Sequence, residues 1–284
     1  MHWISIPFFD DFFHTHSMTK SLKARQIVIE AGRQGAEYLE IIESGKQSSV
    51  EIVVERGAKA TIFDCSTSAA HSVKVTLAAE STLTYVSLSN ASARKLTSTV
   101  GQGAKIHWHC TTIGGSGDSH ELISTCIGPK AESTVDWIFS ATGKQKQSVS
   151  VRNIFDAPEG KGEITLKGIA EEKAFVTCNG MIEITEQGRG TNTYLTEDVL
   201  MLDATAHVEA IPALEIRTND VKASHSATVS RVTAENLFYL QSRGINETKA
   251  RQMFVEGFLG ALTERIADRE IRAKVAEAII RQQR

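Results

Sequence analysis

RGAKATIFD (56–64), AAESTLTYV (78–86), QGAKIHWHC (102–110) and KAESTVDWIF (130–139) are four versions of one phrase. Each sets a small residue beside a charged or polar one and then runs into a strand. With Ala58, Ala79, Ala104 and Ala131 as markers, the phrase returns after 21, 25 and 27 residues, about the length of one coil of a β-solenoid. Apolar residues recur at every second position: Val73, Val75 and Leu77; Ile106, Trp108 and Cys110; Val135, Trp137 and Phe139. That is the period of a strand with one buried side. GEITLKG (162–168), AFVTCNG (174–180) and HVEAIPALEI (207–216) continue the series. Stacked coils would bring such residues into continuous inward columns. An antiparallel sandwich needs the same alternation and stays open on this pattern; the recurring phrase favours the solenoid.

Working outward, the chain divides into an aromatic leader (1–18), a mainly β core (19–232) and a helical end (233–284). Phe8, Phe9, Phe12 and Phe13 in the leader recur at roughly helical spacing, a face that could dock on the body or on a partner. At the other end Thr233 is placed to cap AENLFYLQSR, and Gly244 suits the left-handed residue that closes such a helix. Asn246 caps the next helix, where Met253, Phe254, Gly257, Phe258 and Leu262 form an apolar stripe. Asp268 starts a third, in which Ile271, Val275 and Ile279 share a face. An appendage at the end of a solenoid is expected to cap an open edge or meet a partner.

The totals exclude several classes. A formal net charge of −3 argues against a nucleic-acid binder held mainly by backbone phosphates. No run of about 18 apolar residues is present, so no membrane-spanning helix is expected. The N-terminus carries Asp10 and Asp11 and lacks the positive start and cleavage site of a signal peptide; the chain is read as cytoplasmic. Cys65, Cys110, Cys126 and Cys178 are widely spaced and read as free thiols in strands rather than as a zinc site.

Pro212, the LEI strand (214–216), DVKASHSATV (220–229), LFYLQSRGI (237–245) and FVEGF (254–258) together resemble the SufB/SufD family of SUF iron–sulfur cluster assembly scaffolds. The resemblance is strongest over residues 195–265, and the chain looks like a short form with a reduced N-terminal helical part. It implies a right-handed parallel β-helix core with a C-terminal α-helical subdomain. It implies pairing through the C-terminal ends of two β-helices, with a SufB-like chain or with a second copy, and docking of the SufC ATPase on the helical part. His225 falls on the interface histidine of SufD-type subunits. The position from which SufB-type subunits supply a cysteine falls on Glu197. Ser226 stands where SufB has an acidic residue, and Ala223 where SufD often has a cysteine, so the chain leans toward SufD. For the SufC contact the resemblance suggests Phe238, Tyr239, Arg243, Gly244, Met253, Phe254 and Phe258, some of which must instead hold the helices together.

The chemistry of these residues sets limits. Iron–sulfur clusters are held mainly by thiolates, with imidazole able to substitute. His225 can give one nitrogen to iron while the other hydrogen-bonds, or can serve only as a hydrogen-bonded interface residue. A histidine and a carboxylate do not make a cluster site, so a transient cluster would be shared with a partner that brings the thiolate, and none is expected on the isolated chain. His107 and His109 point the same way from one strand and could bind zinc or iron if a third ligand lay nearby; since Trp108 and Cys110 continue an inward column, the two histidines are expected outside, solvated or packed on the sheet. His120 could join them. GGSG (114–117) and GRG (188–190) lack the lysine of a phosphate loop, so ATP hydrolysis is assigned to the partner. Two other functions stay open: a β-helical carbohydrate-active enzyme, for which Asp64, Asp136 and Asp156 make no evident pair, and a small metal-binding module built on His107 and His109.

Overall fold

A computed structural model describes residues 26–31, 37–41, 44–90, 93–114 and 118–282. The aromatic leader lies outside the described residues, as does part of the loop around Ser116. Among the described residues the strands are β1 (Gln26–Ile29), β2 (Glu37–Ile41), β3 (Gln47–Val54), β4 (Lys59–Asp64), β5 (Ala70–Leu77), β6 (Thr82–Ser89), β7 (Ala93–Val100), β8 (Lys105–Ile113), β9 (Asp118–Cys126), β10 (Glu132–Ala141), β11 (Lys146–Phe155), β12 (Lys161–Ala170), β13 (Phe175–Ile184), β14 (Asn192–Met201), β15 (His207–Ala210), β16 (Ala213–Ile216) and β17 (Lys222–Arg231). They are followed by α1 (Ala234–Gln241), α2 (Glu247–Thr263) and α3 (Arg269–Gln282).

Up to β13 each strand pairs in parallel with the strand two places on, β13 also takes β16, and β14 takes β17; none pairs with its neighbour in sequence. One sheet runs β1-β3-β5-β7-β9-β11-β13-β15, with β16 also on β13; the other runs β17-β14-β12-β10-β8-β6-β4-β2. Such pairing is possible only if the chain winds, and the winding is a parallel β-solenoid; the sandwich is excluded. The aligned positions Lys59, Thr82, Lys105, Glu132, Lys161, Asn192 and Lys222 lie 23, 23, 27, 29, 31 and 30 residues apart, so the coils lengthen toward the C-terminus. This register corrects one marker. The residue stacked with Ala58, Ala104 and Ala131 is Ser81, not Ala79, because Thr82 N donates to Ala58 O.

The phrase recurs because every coil turns the same corner. Gly57, Glu80, Gly103, Lys130, Glu159 and Gly190 all have φ between 60° and 78°, the left-handed region that favours glycine. They form a ladder: Gly57 N donates to Ala79 O, Glu80 N to Gln102 O, Gly103 N to Pro129 O, Lys130 N to Pro158 O, Glu159 N to Arg189 O and Gly190 N to Asp220 O. The small and charged residues before each strand are this corner.

Inside, side chains stack in columns as the alternation requires. Ile62, Tyr85, Trp108, Val135, Ile164 and Leu195 form one, each buried, with Tyr85 and Trp108 ring centroids 4.8 Å apart. Where Phe139 fills the interior, its neighbour on the next coil is Gly168, whose position would bring an added Cβ within 1.9 Å of the Phe139 ring.

The helices do not plug the open end of the rod. They lie along the outer face of the even-numbered sheet, where Phe63, Val86, Ile138, Ile169 and Leu200 point outward and are buried beneath Val255, Leu259, Leu262, Ile271, Val275 and Ile279. The reason is visible in the strands: those outward positions are apolar and need cover. Arg251 fastens α2 to the last coils through Leu202 O (3.2 Å) and Asp203 (3.1 Å). The caps are Thr233, in a reciprocal capping box with Asn236, and Asn246, which accepts from Lys249 N. The stripe of α2 differs from the expected one: Ala250, Val255, Leu259, Leu262 and Thr263 are buried, Phe254 and Phe258 are half-buried, and Met253 and Gly257 are exposed.

Candidate functional site at the open end of the solenoid

β17 is the last strand of its sheet. Among the described residues no further coil covers it, so its inward positions lie at the open end of the rod. His225 pairs in register with Leu195 and thus ends the Ile62–Leu195 column, exposed where every residue behind it is buried. Ala227 stands over Glu197 and Val229 over Val199. Val229 and Ile216, which stand over the buried Val199 and Ile184, are 46% and 41% exposed. Apolar side chains that belong to a core by position meet solvent here.

Glu197 does not sit beside His225 on that surface. It lies one coil deeper and is fully buried. Its carboxyl accepts from Gly180 N at 2.5 Å, and Cys178 Sγ lies 3.8 Å from the other oxygen. Burial raises its pKa to about 7, against the lowering contributed by the Gly180 and Cys178 hydrogen bonds. Burial likewise pushes the Cys178 thiol well up, and the Glu197 carboxylate adds to the effect. The pair was not foreseen, because the two residues are 19 apart and meet only through the coil. All four cysteines are buried, and none is in a disulfide among the described residues. Cys110 and Cys126 are each pushed up to about 12 by burial. A thiol that stays protonated is a poor iron ligand.

The helical candidates fall into two groups. Phe238 (69% exposed), Tyr239 (56%) and Met253 (40%) stand free of the solenoid. Arg243 stacks on the Tyr239 ring at 4.8 Å, and Gly244, with φ 85°, closes α1. Phe254 and Phe258 pack against the buried layer under the helices, with the Lys167 ammonium 4.7 Å from the Phe258 ring centroid.

The other singled-out residues occupy separate settings. His107 and His109 do point out of the solenoid, but only His107 keeps some exposure; His109 is covered, and both face Asp136. His120 does not join them. It lies inside on the opposite sheet, 6.1 Å from the Trp137 ring, and burial next to Arg94 lowers its pKa to about 4. Asp64 lies inside the rod with Arg94 and His71. Asp156 accepts from Thr185 at the surface. These three carboxylates are not brought together.

Parallel coils with an annex of three helices along one face define a parallel β-solenoid protein. Residues 38–258 match the family described as "SUF system FeS cluster assembly, SufBD core domain", and the chain belongs to that family, whose role is in iron–sulfur cluster assembly. Similar proteins include the iron–sulfur cluster assembly protein SufD of Escherichia coli K12, 38% identical over 113 residues (40% of this chain, 27% of that protein). A SufBD family protein of Staphylococcus saprophyticus is 32% identical over 134 residues (47% and 29%), and one of Mycobacterium bovis 27% over 164 residues (58% and 19%). The matched stretches span less than a third of each of these relatives. Among the described residues no helix is long and apolar enough to cross a membrane.

Proposed function

We propose that the chain is a cytoplasmic, non-catalytic scaffold subunit of a SUF assembly complex. It pairs through its open coil with a SufB-like chain or with a second copy, and docks a SufC-type ATPase on its helices. The observation that carries the reading is the uncovered end of the core: a column buried for six coils finishes in His225, and on the same last coil Val229 and Ile216, standing over buried Val199 and Ile184, are 46% and 41% exposed. A core cut open in this way is what a subunit interface offers. Two identical open ends could meet about a twofold axis.

The cluster is cargo here. His225 can offer one imidazole nitrogen at the interface; Glu197, sealed beneath Ala227, offers its carboxylate only if the last coil shifts. Burial raises the pKa of Cys110, Cys126 and Cys178, which favours a thiolate supplied by the partner. Phe238, Tyr239 and Met253 supply the exposed aromatic and thioether anchors that partner grooves take up. Phe254 and Phe258 hold the annex on the solenoid.

Anaerobic co-expression with and without SufB-like and SufC-like chains tests this. The expected result is a complex of fixed stoichiometry containing iron and sulfide, with His225→Ala keeping the complex and losing iron and sulfide. A chain that stays monomeric with every partner, or a His225→Ala complex with undiminished iron, contradicts it.

A further inference from the structure

His107 and His109 on β8 and Asp136 on β10 converge on one point of the outer sheet face, at the seam with the helical annex. The register sets Asp136 directly beside His109. His107 Nε2 is 2.9 Å and His109 Nδ1 3.3 Å from the same oxygen, Asp136 Oδ2. The two rings lie side by side, with centroids 3.8 Å apart, and the three ligand atoms all fall within 4.8 Å of one another. From these positions we infer a binding site for one divalent transition-metal ion of the Zn²⁺ or Fe²⁺ kind, held by His107 Nε2, His109 Nδ1 and Asp136 Oδ2.

The spacing suits a metal. In a tetrahedral site with bonds of about 2.0–2.1 Å, ligand atoms stand roughly 3.3 Å apart. Two imidazoles and one carboxylate are a donor set for borderline ions, while Mg²⁺ and Ca²⁺ prefer oxygen alone. The carboxylate is already oriented. Arg265, just beyond α2, donates to Asp136 Oδ1 at 2.8 Å and also reaches Glu163 (3.3 Å) and Thr165 (3.4 Å). That turns Oδ2 toward the two histidine nitrogens, in the way outer hydrogen bonds fix metal ligands.

Charge points the same way. Arg265 pairs with both Asp136 and Glu163, so one negative charge of the two carboxylates is left over beside the two rings. An ion pair alone would need one histidine on this oxygen, not two adjacent rings. The His107 side chain, 33% exposed, leaves a path for the ion and room for a water as fourth ligand. The site is independent of the pairing proposed above.

The test uses untagged full-length protein, stripped with a chelator and titrated with Zn²⁺ by calorimetry, with Co²⁺ visible absorption and thermal unfolding as further readouts. The expected result is one ion per chain, cobalt bands of a four- or five-coordinate nitrogen–oxygen site, and a Tm raised by Zn²⁺. In His107→Ala the affinity falls about tenfold or more and the Tm rise disappears, while His225→Ala behaves as the unmodified chain. Asp136→Asn loses binding also; should that variant not fold, His107→Ala decides, since its ring is partly outside the packing. No saturable Zn²⁺ binding, or binding undiminished in His107→Ala, overturns the inference.

Discussion

Asp64 shows how much a single inward position can demand. Ala60, Ile62 and Asp64 alternate into the rod, and Asp64 is fully buried there. It accepts from the Tyr85 hydroxyl and pairs with Arg94 at 3.1 Å and His71 at 3.0 Å, while Ser48 closes the far side of His71 at 2.6 Å. Burial alone would raise its pKa; the Arg94 charge and the His71 contacts reverse this and hold the carboxyl far below its ordinary 3.8. Breaking a buried pair leaves a naked charge, so Arg94→Met should destabilise the protein by about 3–5 kcal/mol in urea unfolding. A depressed carboxyl contributes stability that is complete above its unfolded pKa, near 4, and is lost as the pH falls below that. Urea midpoints of the unmodified chain should therefore fall more steeply below about pH 4 than those of Asp64→Asn; parallel acid limbs would contradict the pairing. None of this was legible in KATIFD. The partners are 7, 21 and 30 residues away, and only the coil brings them together. His225 was legible because its motif is local; the Cys178–Glu197 contact was not, for the same reason as Asp64.

At the scale of elements the corner ladder explains which residues the phrase must keep. Gly57 has φ 72° with nothing within 4 Å of an added Cβ, so Gly57→Ala tests backbone strain alone and should cost about 1–2 kcal/mol. Glu80, at φ 60°, already carries that strain, so Glu80→Gly should leave stability unchanged or raise it by up to about 1 kcal/mol. Thermal unfolding of the two variants checks the ladder, and equal effects at both positions would contradict it. The marker set two residues early at Ala79 shows why the repeat was readable and its register was not: AAES holds several small residues, and only the hydrogen bond from Thr82 to Ala58 selects Ser81. In α2 the helical period was readable, but its inward face was displaced. Aromatic residues at 254 and 258 drew the expected stripe to one side, whereas the even-numbered sheet takes Val255, Leu259 and Leu262. Leu259→Ala should thus cost about 2–5 kcal/mol, and Met253→Ala, being exposed, within about 0.5 kcal/mol; the reverse order in chemical denaturation would show that the annex packs by another face.

The whole molecule is a rod with unequal sides and an unfinished end. The return of one phrase, with the family resemblance, made the rod legible. The location of the helices was not, because the outward apolar residues Phe63, Val86, Ile138, Ile169 and Leu200 are scattered through five strands and look like ordinary breaks in alternation. Once the helices cover that face, the last coil is left bare. Pairing at that coil is the central claim, and native mass spectrometry of the chain co-expressed with a SufB-like partner tests it most directly. The unmodified chain should appear as a pair of subunits, with the partner or with itself. Val229→Glu sets a charge among apolar neighbours at the bare end without touching the closed core, so its chain should appear folded and single. A Val229→Glu chain that pairs as fully as the unmodified one would contradict the account.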